Sequence, residues 1–333
     1  MKRCGRKLIC CSIHRAKLDF PNKKCRNSRN RLDCICPSEL VKSDANKFVK
    51  MAKDSSIEWT DHTFNPWWGC TKVSPGCEHC YAEAWAKRVG ENVWGAKQER
   101  RFFTDKHWNE PLKWNAEAAK AKQRKRVFCA SMADVFELRS DLDSQRVRLW
   151  KLIDDTPWLD WLLLTKRPQN IEKKIPWTKN WPENVWLGTT VEDQTRALER
   201  LPMLLKFPAT CRFLSCEPLL GAVDLSPWIE SRPKSLHEIN WVIAGGESGS
   251  NARAMLPGWA RRLRDQCQEA EIPFHFKQWG HWAPVPPPKG EKSLVRKFWD
   301  EVLVADIFME PKGKKIAGRR LDGITWDQLP ATA

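Results

Sequence analysis

From residue 63 onward, short apolar runs alternate with stretches whose apolar residues recur at helical spacing. Thr63–Cys70 leads into Tyr81–Val89, where Ala82, Trp85, Ala86 and Val89 share one face. Arg126–Ala130 precedes Gln145–Ile153, and Trp161–Leu164 precedes a short helical pattern near Gln169–Lys174. Val185–Gly188 precedes Gln194–Leu205, and Cys211–Leu214 precedes a looser stretch near Leu225–Glu230. Asn240–Ala244 precedes Gly258–Ala270, and Pro273–Phe276 ends the series. Near-continuous apolar strands between amphipathic helices are the pattern of a parallel sheet with βαβ crossovers, whose strands are covered on both faces.

Seven such strands predict an α/β fold built on a partial (β/α) barrel. Periodicity alone does not separate a barrel from an open doubly wound sheet. The position of the polar residues does favour the barrel. Ser131 and Asp134, Thr165-Lys166-Arg167, Thr189-Thr190 and Glu192, Ser215 and Glu217, Gly245-Gly246-Glu247-Ser248 and Lys277-Gln278 each follow a strand at once. In a parallel barrel the C-terminal strand ends converge on one rim, where active sites are built. Loops after strands are polar in any fold. Cys70, however, ends the first strand in the same register, which puts it on that rim.

Composition then divides the chain. The first fifty residues hold 14 Lys and Arg against 4 Asp and Glu, +10 of the total +16, and six of the 13 cysteines. All 20 tryptophans follow residue 50, and the only tyrosine is Tyr81. We read residues 1–50 as disordered, or as the product of an upstream start codon, with Met51 resembling a fresh N-terminus. The rival reading is a basic, Cys-rich arm for metal or nucleic acid, although Cys10-Cys11 and Cys34-x-Cys36 lack the paired spacing of a zinc finger. The barrel is expected over 51–285. Residues 286–333, opened by Pro286-Pro287-Pro288, read as a tail or small cap. The remaining +6 permits nucleic-acid binding without requiring it. No run reaches the roughly 18 apolar residues of a membrane span, and Leu8–Ile13 is too short for a secretory core. A reducing cytoplasm is therefore expected, where clustered cysteines signify metal or catalysis rather than disulfides. No P-loop, nucleophile elbow or His-Glu-x-x-His motif is present.

Cys70, Cys77 and Cys80 lie within eleven residues in the spacing C-x6-C-x2-C. Three thiolates on one flexible loop can hold an iron–sulfur cluster and leave one iron open. Ser74-Pro75-Gly76 is turn chemistry that folds the six-residue gap back, and Lys72 favours the thiolates. The alternative is a zinc site completed by His79 or His62. Spacing does not separate the two.

The run Asn65-Pro66-Trp67-Trp68-Gly69-Cys70, with Cys77-Glu78-His79-Cys80-Tyr81-Ala82, resembles the cluster loop of radical S-adenosylmethionine (SAM) enzymes. More narrowly, it is similar to a phage-associated, three-Cys-motif family of radical-SAM-like proteins. Ile57-Glu58-Trp59-Thr60, Leu164-Thr165-Lys166-Arg167-Pro168 and Gly245-Gly246-Glu247-Ser248-Gly249 share that resemblance, which spans roughly 55–285. The superfamily spacing is C-x3-C-x2-C, so the six-residue gap is a departure at the first ligand. The resemblance implies a partial barrel of radical-SAM type with a [4Fe–4S] cluster on Cys70, Cys77 and Cys80. SAM would chelate the fourth iron, and its reductive cleavage would supply a 5′-deoxyadenosyl radical for hydrogen abstraction from a substrate. An electron donor is then a required partner.

Further cofactor-binding candidates follow by location. His79 holds the place of a residue contacting adenine, and Tyr81 opens the next helix beside the cluster. Ser131 and Asp134 stand where the superfamily holds the SAM amino group; helix capping is the plain alternative for Asp134. Glu217, Gly245, Gly246 and Glu247 follow later strands, the glycines allowing close backbone approach to a ligand. Glu192 is a candidate for ribose or substrate. Lys166, Arg167, Arg253 and Lys277 suit a carboxylate or phosphate, or else ordinary pairing with rim carboxylates. Trp161, Trp186 and Trp241 are expected in the core, whereas Trp67, Trp68, Trp279 and Trp282 lie near rim loops where stacking on a flat substrate is open to them. Two function classes compete: a radical-SAM-like enzyme of unknown substrate, nucleic acid among the options, and a zinc-stabilised, non-catalytic barrel that binds nucleic acid or a protein partner.

Overall fold

The computed structural model describes residues 54–177, 180–229, 239–288, 290 and 294–331; the expectation for residues 1–50 lies outside them. Strand β1 (His62–Thr63) starts the main sheet, while β2 (Trp67–Trp68) and β3 (Arg101–Phe102) pair with each other. Then follow β4 (Lys125–Cys129), β5 (Leu159–Thr165), β6 (Val185–Thr190), β7 (Cys211–Cys216), β8 (Trp241–Gly245) and β9 (Phe274–Gln278). The seven-stranded sheet runs β1-β4-β5-β6-β7-β8-β9, parallel throughout, and curls into a partial (β/α) barrel.

Both faces of these strands are buried, which explains their near-continuous apolar sequence. In β5, Leu159, Trp161 and Leu163 face the helical layer, while Leu162 joins an inner cluster. In β8, Val242 and Ala244 belong to the outer set and Trp241 and Ile243 to the inner one. Trp59, Phe128, Trp186, Phe213 and Trp241 make that inner cluster largely aromatic, with rings meeting edge-on or tilted at centroid distances of 4.7 to 6.4 Å. Such a plug fills the barrel interior and leaves only the rim open.

The crossover helices are α1 (Tyr81–Arg88), α2 (Asp105–Trp108), α3 (Glu110–Ala121), α4 (Asp143–Asp154), α5 (Gln194–Leu204), α6 (Ser226–Ile229) and α7 (Pro257–Glu269). Their ends follow local chemistry. Asp193 caps α5 by accepting from the Arg196 amide at 2.8 Å. Proline occupies the first turn of α3 and α7. Lys122 ends α3 in the left-handed region, φ 50°.

Two elements differ from the sequence reading. Thr63–Cys70 is not one strand: Asn65-Pro66 interrupts it, since proline has no N–H for the ladder, and Trp67-Trp68 turns outward onto β3. Gly69 returns to the rim, its amide bonded to the Met132 carbonyl at 3.0 Å. The helical pattern near Gln169–Lys174 is a short 3-10 turn at Pro168–Asn170.

The C-terminal segment carries β10 (Trp282–Val285), β11 (Arg296–Asp300) and β12 (Ala305–Pro311) in an antiparallel sheet ordered β10-β12-β11. After helix α8 (Lys314–Ala317) the chain runs back along β9. The Phe276 amide bonds Trp326 O at 2.9 Å, and Trp279 N bonds Gly318 O at 3.1 Å. This strap covers an edge strand that would otherwise present unpaired backbone. Among the described residues, no helix is long and apolar enough to cross a membrane.

Candidate metal and cofactor site

The cysteine loop leaves β2 and ends at α1, and three arginine–carboxylate pairs, each with a buried carboxylate from another strand end, hold it. Arg167, after β5, sits at the first cysteine. Its Nη1 donates to Asp134 Oδ2 at 2.8 Å and approaches Cys70 Sγ at 3.6 Å, while Nη2 donates to Thr71 O. Glu192, after β6, is fully buried, pairs with Arg200 at 2.8 Å and accepts from Ser74 Oγ at 2.5 Å. A side chain at Gly76 would stand 2.5 Å from the Glu192 carboxylate, so the turn needs glycine there. Glu247, after β8, accepts from His79 Nδ1 at 3.1 Å and from Arg253 at N (2.8 Å), Nε (3.0 Å) and Nη2 (2.6 Å). Arg253 then returns to the loop through Pro75 O at 2.9 Å and Glu78 Oε2 at 3.0 Å.

Cys70, Cys77 and Cys80 are all unpaired thiols lining one cavity of about 390 Å³. Each is partly exposed, whereas Cys129, Cys211, Cys216 and Cys267 are buried in the core. Burial pushes the Cys70 thiol up to about 12, against the pull of the Arg167 guanidinium. Burial likewise raises Cys80, opposed by backbone N–H groups at the start of α1. Burial thus favours the protonated form of Cys70 and Cys80, and a metal would have to displace those protons. Three soft donors on a pinned loop facing one cavity suit an iron–sulfur cluster. Among the described residues, no three His, Cys, Asp or Glu groups stand together in a ready-made metal geometry, so a cluster on the three thiols would require their side chains to turn toward it.

The remaining candidates gather on the same cavity, which Tyr81, Ser131, Asp134, Glu217, Gly246 and Glu247 line with His79. Most are already engaged. Asp134 accepts from Thr165 Oγ1, the Lys166 amide and Arg167, and makes an Asx-type turn with the Phe136 amide rather than capping a helix. Tyr81 donates to Ser131 O at 3.1 Å, and Ser131 Oγ meets Asn65 Nδ2 at 3.1 Å. Glu217 accepts from Lys277 at 2.9 Å and Gln278 at 3.0 Å. Gly245 and Gly246 do permit close approach, but to the protein's own chain. An added Cβ would meet the Glu217 carboxylate at 3.3 Å and Trp279 O at 1.9 Å, respectively. Glu192 is closed to ribose or substrate, being shut between Ser74 and Arg200. Of the expected cations, Arg167, Arg253 and Lys277 pair with carboxylates, and Lys166 reaches Thr190 Oγ1 at 3.3 Å.

The tryptophans divide differently from the reading. Trp161, Trp186 and Trp241 are core, but Trp67, Trp68, Trp279 and Trp282 are buried too. Trp85 and Trp94 are the half-exposed indoles at the cavities, and the sequence reading did not single them out for stacking. Nor did it find Arg100 and Glu137, or the bond from Ser74 to Glu192, whose partners are distant in sequence. Lys314 of α8 also lines the thiol cavity, so the C-terminal segment contributes to the site. Beside it opens a groove of about 1140 Å³ that shares Lys72, His79, Cys80 and Tyr81 with the thiol cavity.

The family described as "Protein of unknown function (DUF5131)" matches residues 54–330. The chain belongs to that family. No curated protein matches it. Among solved structures, it is similar to a spore photoproduct lyase double mutant with bound AdoMet and dinucleoside spore photoproduct. That match has 12% identity and a TM-score of 0.39, covering 74% of this chain and 68% of that one. A spore photoproduct lyase complexed with dinucleoside spore photoproduct matches at 11% identity and a TM-score of 0.42, covering 77% of this chain and 71% of the other.

Proposed function

We propose that the chain is a radical-SAM-like enzyme that holds a [4Fe–4S] cluster on Cys70, Cys77 and Cys80 and acts on a substrate admitted through the adjoining groove. The observation that carries this reading is that three unpaired thiols line one rim cavity, on a loop that three strand ends pin. When bound, such a cluster with SAM supplies a one-electron route to an organic radical. The chain's own residues do the rest. The clamps fix the loop, the aromatic inner cluster fills the barrel interior, and Glu217, Lys277 and Gln278 add a polar stretch to the lining of the same cavity. An external electron donor is required.

Zinc is the alternative reading, with His79 Nε2 as its candidate fourth ligand, since a carboxylate on Nδ1 is what orients a zinc-bound imidazole. His62 is buried in β1, stacked on Trp114 at 4.5 Å, with Nδ1 accepting from the Asp54 amide. His79 directs Nδ1 to Glu247.

The groove supports a single-stranded nucleic acid as substrate. Trp85 and Phe103 line it with Arg88, Arg101 and Lys106. Arg88 lies 5.8 Å over Trp85 and Arg101 4.7 Å over Trp68. Interleaved cations and aromatics suit a phosphate backbone with unstacked bases.

The test is reconstitution of the full chain with iron and sulfide without oxygen. About four irons per chain, a brown chromophore, and 5′-deoxyadenosine after dithionite and SAM are expected. Cys77→Ala should abolish all three. A colourless protein carrying zinc, with SAM intact, would overturn the reading.

A further inference from the structure

Arg167 is a buried cation whose place in the fold is over-determined. Its amide bonds Thr165 Oγ1 at 2.8 Å, and that hydroxyl donates to Asp134 Oδ1 at 2.8 Å. Asp134 grips the guanidinium from one side, and Glu137 stands 4.0 Å from Nη2. Glu137 is itself held by Arg100 through two bonds of 2.8 and 3.2 Å. Arg100 spends its remaining donors on Thr71 Oγ1 and on the carbonyls of Val93, Gly95 and Gln98. Two arginines and two carboxylates thus make a buried, charge-balanced quartet under the first cysteine, and only Arg167 reaches sulfur, at 3.6 Å.

The other two thiols have nothing comparable. Cys77 has Ser74 Oγ at 3.8 Å, and among the described residues no side-chain donor is recorded on Cys80. The ligand set is therefore electrostatically lopsided: a guanidinium donates directly to Cys70, while Cys80 feels Lys166 only through space. Cluster potentials follow the hydrogen bonds and charge at the ligating sulfurs, and a charged donor is the stronger kind.

Building on the proposed function, we infer that Arg167 sets the reduction potential of the cluster through Cys70, and that Asp134 is a positioning residue acting through Arg167. A cation against sulfur favours the reduced, more negative state, so it raises the potential. Asp134 opposes that charge while fixing its direction. Its role is then to hold a guanidinium, where its location in the sequence suggested a hold on the SAM amino group.

The test uses the full chain reconstituted with iron and sulfide, titrated potentiometrically with the reduced cluster followed by electron paramagnetic resonance, without SAM or substrate. Arg167→Gln should keep its iron and move the midpoint to a more negative value. Arg167→Lys, which keeps the charge and loses the fork, should fall between. Asp134→Asn removes a negative charge while Arg167 keeps Thr71 O and Glu137, and should move the midpoint the opposite way. Opposite signs are a result that loosening of the loop does not produce. An unchanged midpoint in Arg167→Gln, shifts of the same sign in Arg167→Gln and Asp134→Asn, or loss of iron from both Arg167 variants would overturn the inference and leave a structural anchor. Failure of the unmutated chain to take up iron and sulfide would instead overturn the proposed function, and this inference with it.

Discussion

Glu247 shows how much one side chain does at this rim. It is 5% exposed and accepts four hydrogen bonds, all from Arg253 and His79. Burial alone would raise its carboxyl pKa, but the Arg253 and His79 bonds outweigh that and hold it below the ordinary value. A carboxyl with a depressed folded pKa contributes stability above its unfolded value of about 4.3, and loses it as pH falls through the folded one. Glu247→Gln should therefore cost about 2 kcal/mol at pH 7, below the roughly 3–5 kcal/mol of a fully buried broken pair because Arg253 is one-third exposed and keeps Glu78 and Pro75 O. It should also flatten the stability profile on the acid side. Denaturant unfolding of both proteins at neutral pH and near pH 3 measures this, and parallel pH profiles would refute it. Arg253→Met should produce the same neutral-pH loss and release the Pro75–Glu78 turn, seen as faster proteolysis within the cysteine loop.

At the scale of elements, Gly188 links strand sequence to barrel filling. A Cβ there would stand 2.4 Å from the Phe213 ring, which occupies the inner cluster across the β6–β7 pair. Gly188→Ala should cost about 1–3 kcal/mol through overpacking. Phe213→Leu in the same chain should recover part of that loss, giving a coupling that thermal unfolding of the single and double variants would reveal; strict additivity would mean the ring moves aside freely. The same packing explains what the sequence disclosed. Strands β4 to β9 were legible because both faces are buried, so their apolar runs are continuous. The first strand was misjudged because Trp67 and Trp68 carry the same apolar signal whether they extend β1 or turn onto β3. The β11 strand, Arg296–Asp300, is mostly charged and exposed, so no run marks it. At the site, the three cysteines were legible because their spacing is local. The clamps were not, since Arg167, Glu192 and Glu247 meet residues of the loop 97, 118 and 168 positions away, and no local pattern records such pairs.

At the scale of the molecule, the thiol cavity and the groove share a wall at His79, Cys80 and Tyr81, so whatever lies in the groove passes the third cysteine. The groove's cations are not equivalent. Lys72 and Lys87 pair with Glu83, and Arg101 pairs with Glu91. Among the described residues, no carboxylate lies within ion-pair distance of Arg88 or Lys106, which leaves their charge for a ligand. A bound phosphate backbone would draw on those two first, with Trp85 offering a face for a base. Neutralising one phosphate of a single strand releases counterions worth about 0.7 in the slope of log affinity against log salt. Arg88→Ala and Lys106→Ala should each reduce that slope by about this amount for a short single-stranded oligonucleotide. Trp85→Ala should weaken binding by about 1–3 kcal/mol and leave the slope alone, because stacking is not ionic. Fluorescence anisotropy across a salt series, without cluster or SAM, reads all three. Slopes that stay at the unmutated value in both cation variants would mean that the strand lies elsewhere. The groove would then have to admit an uncharged substrate past the same cysteine.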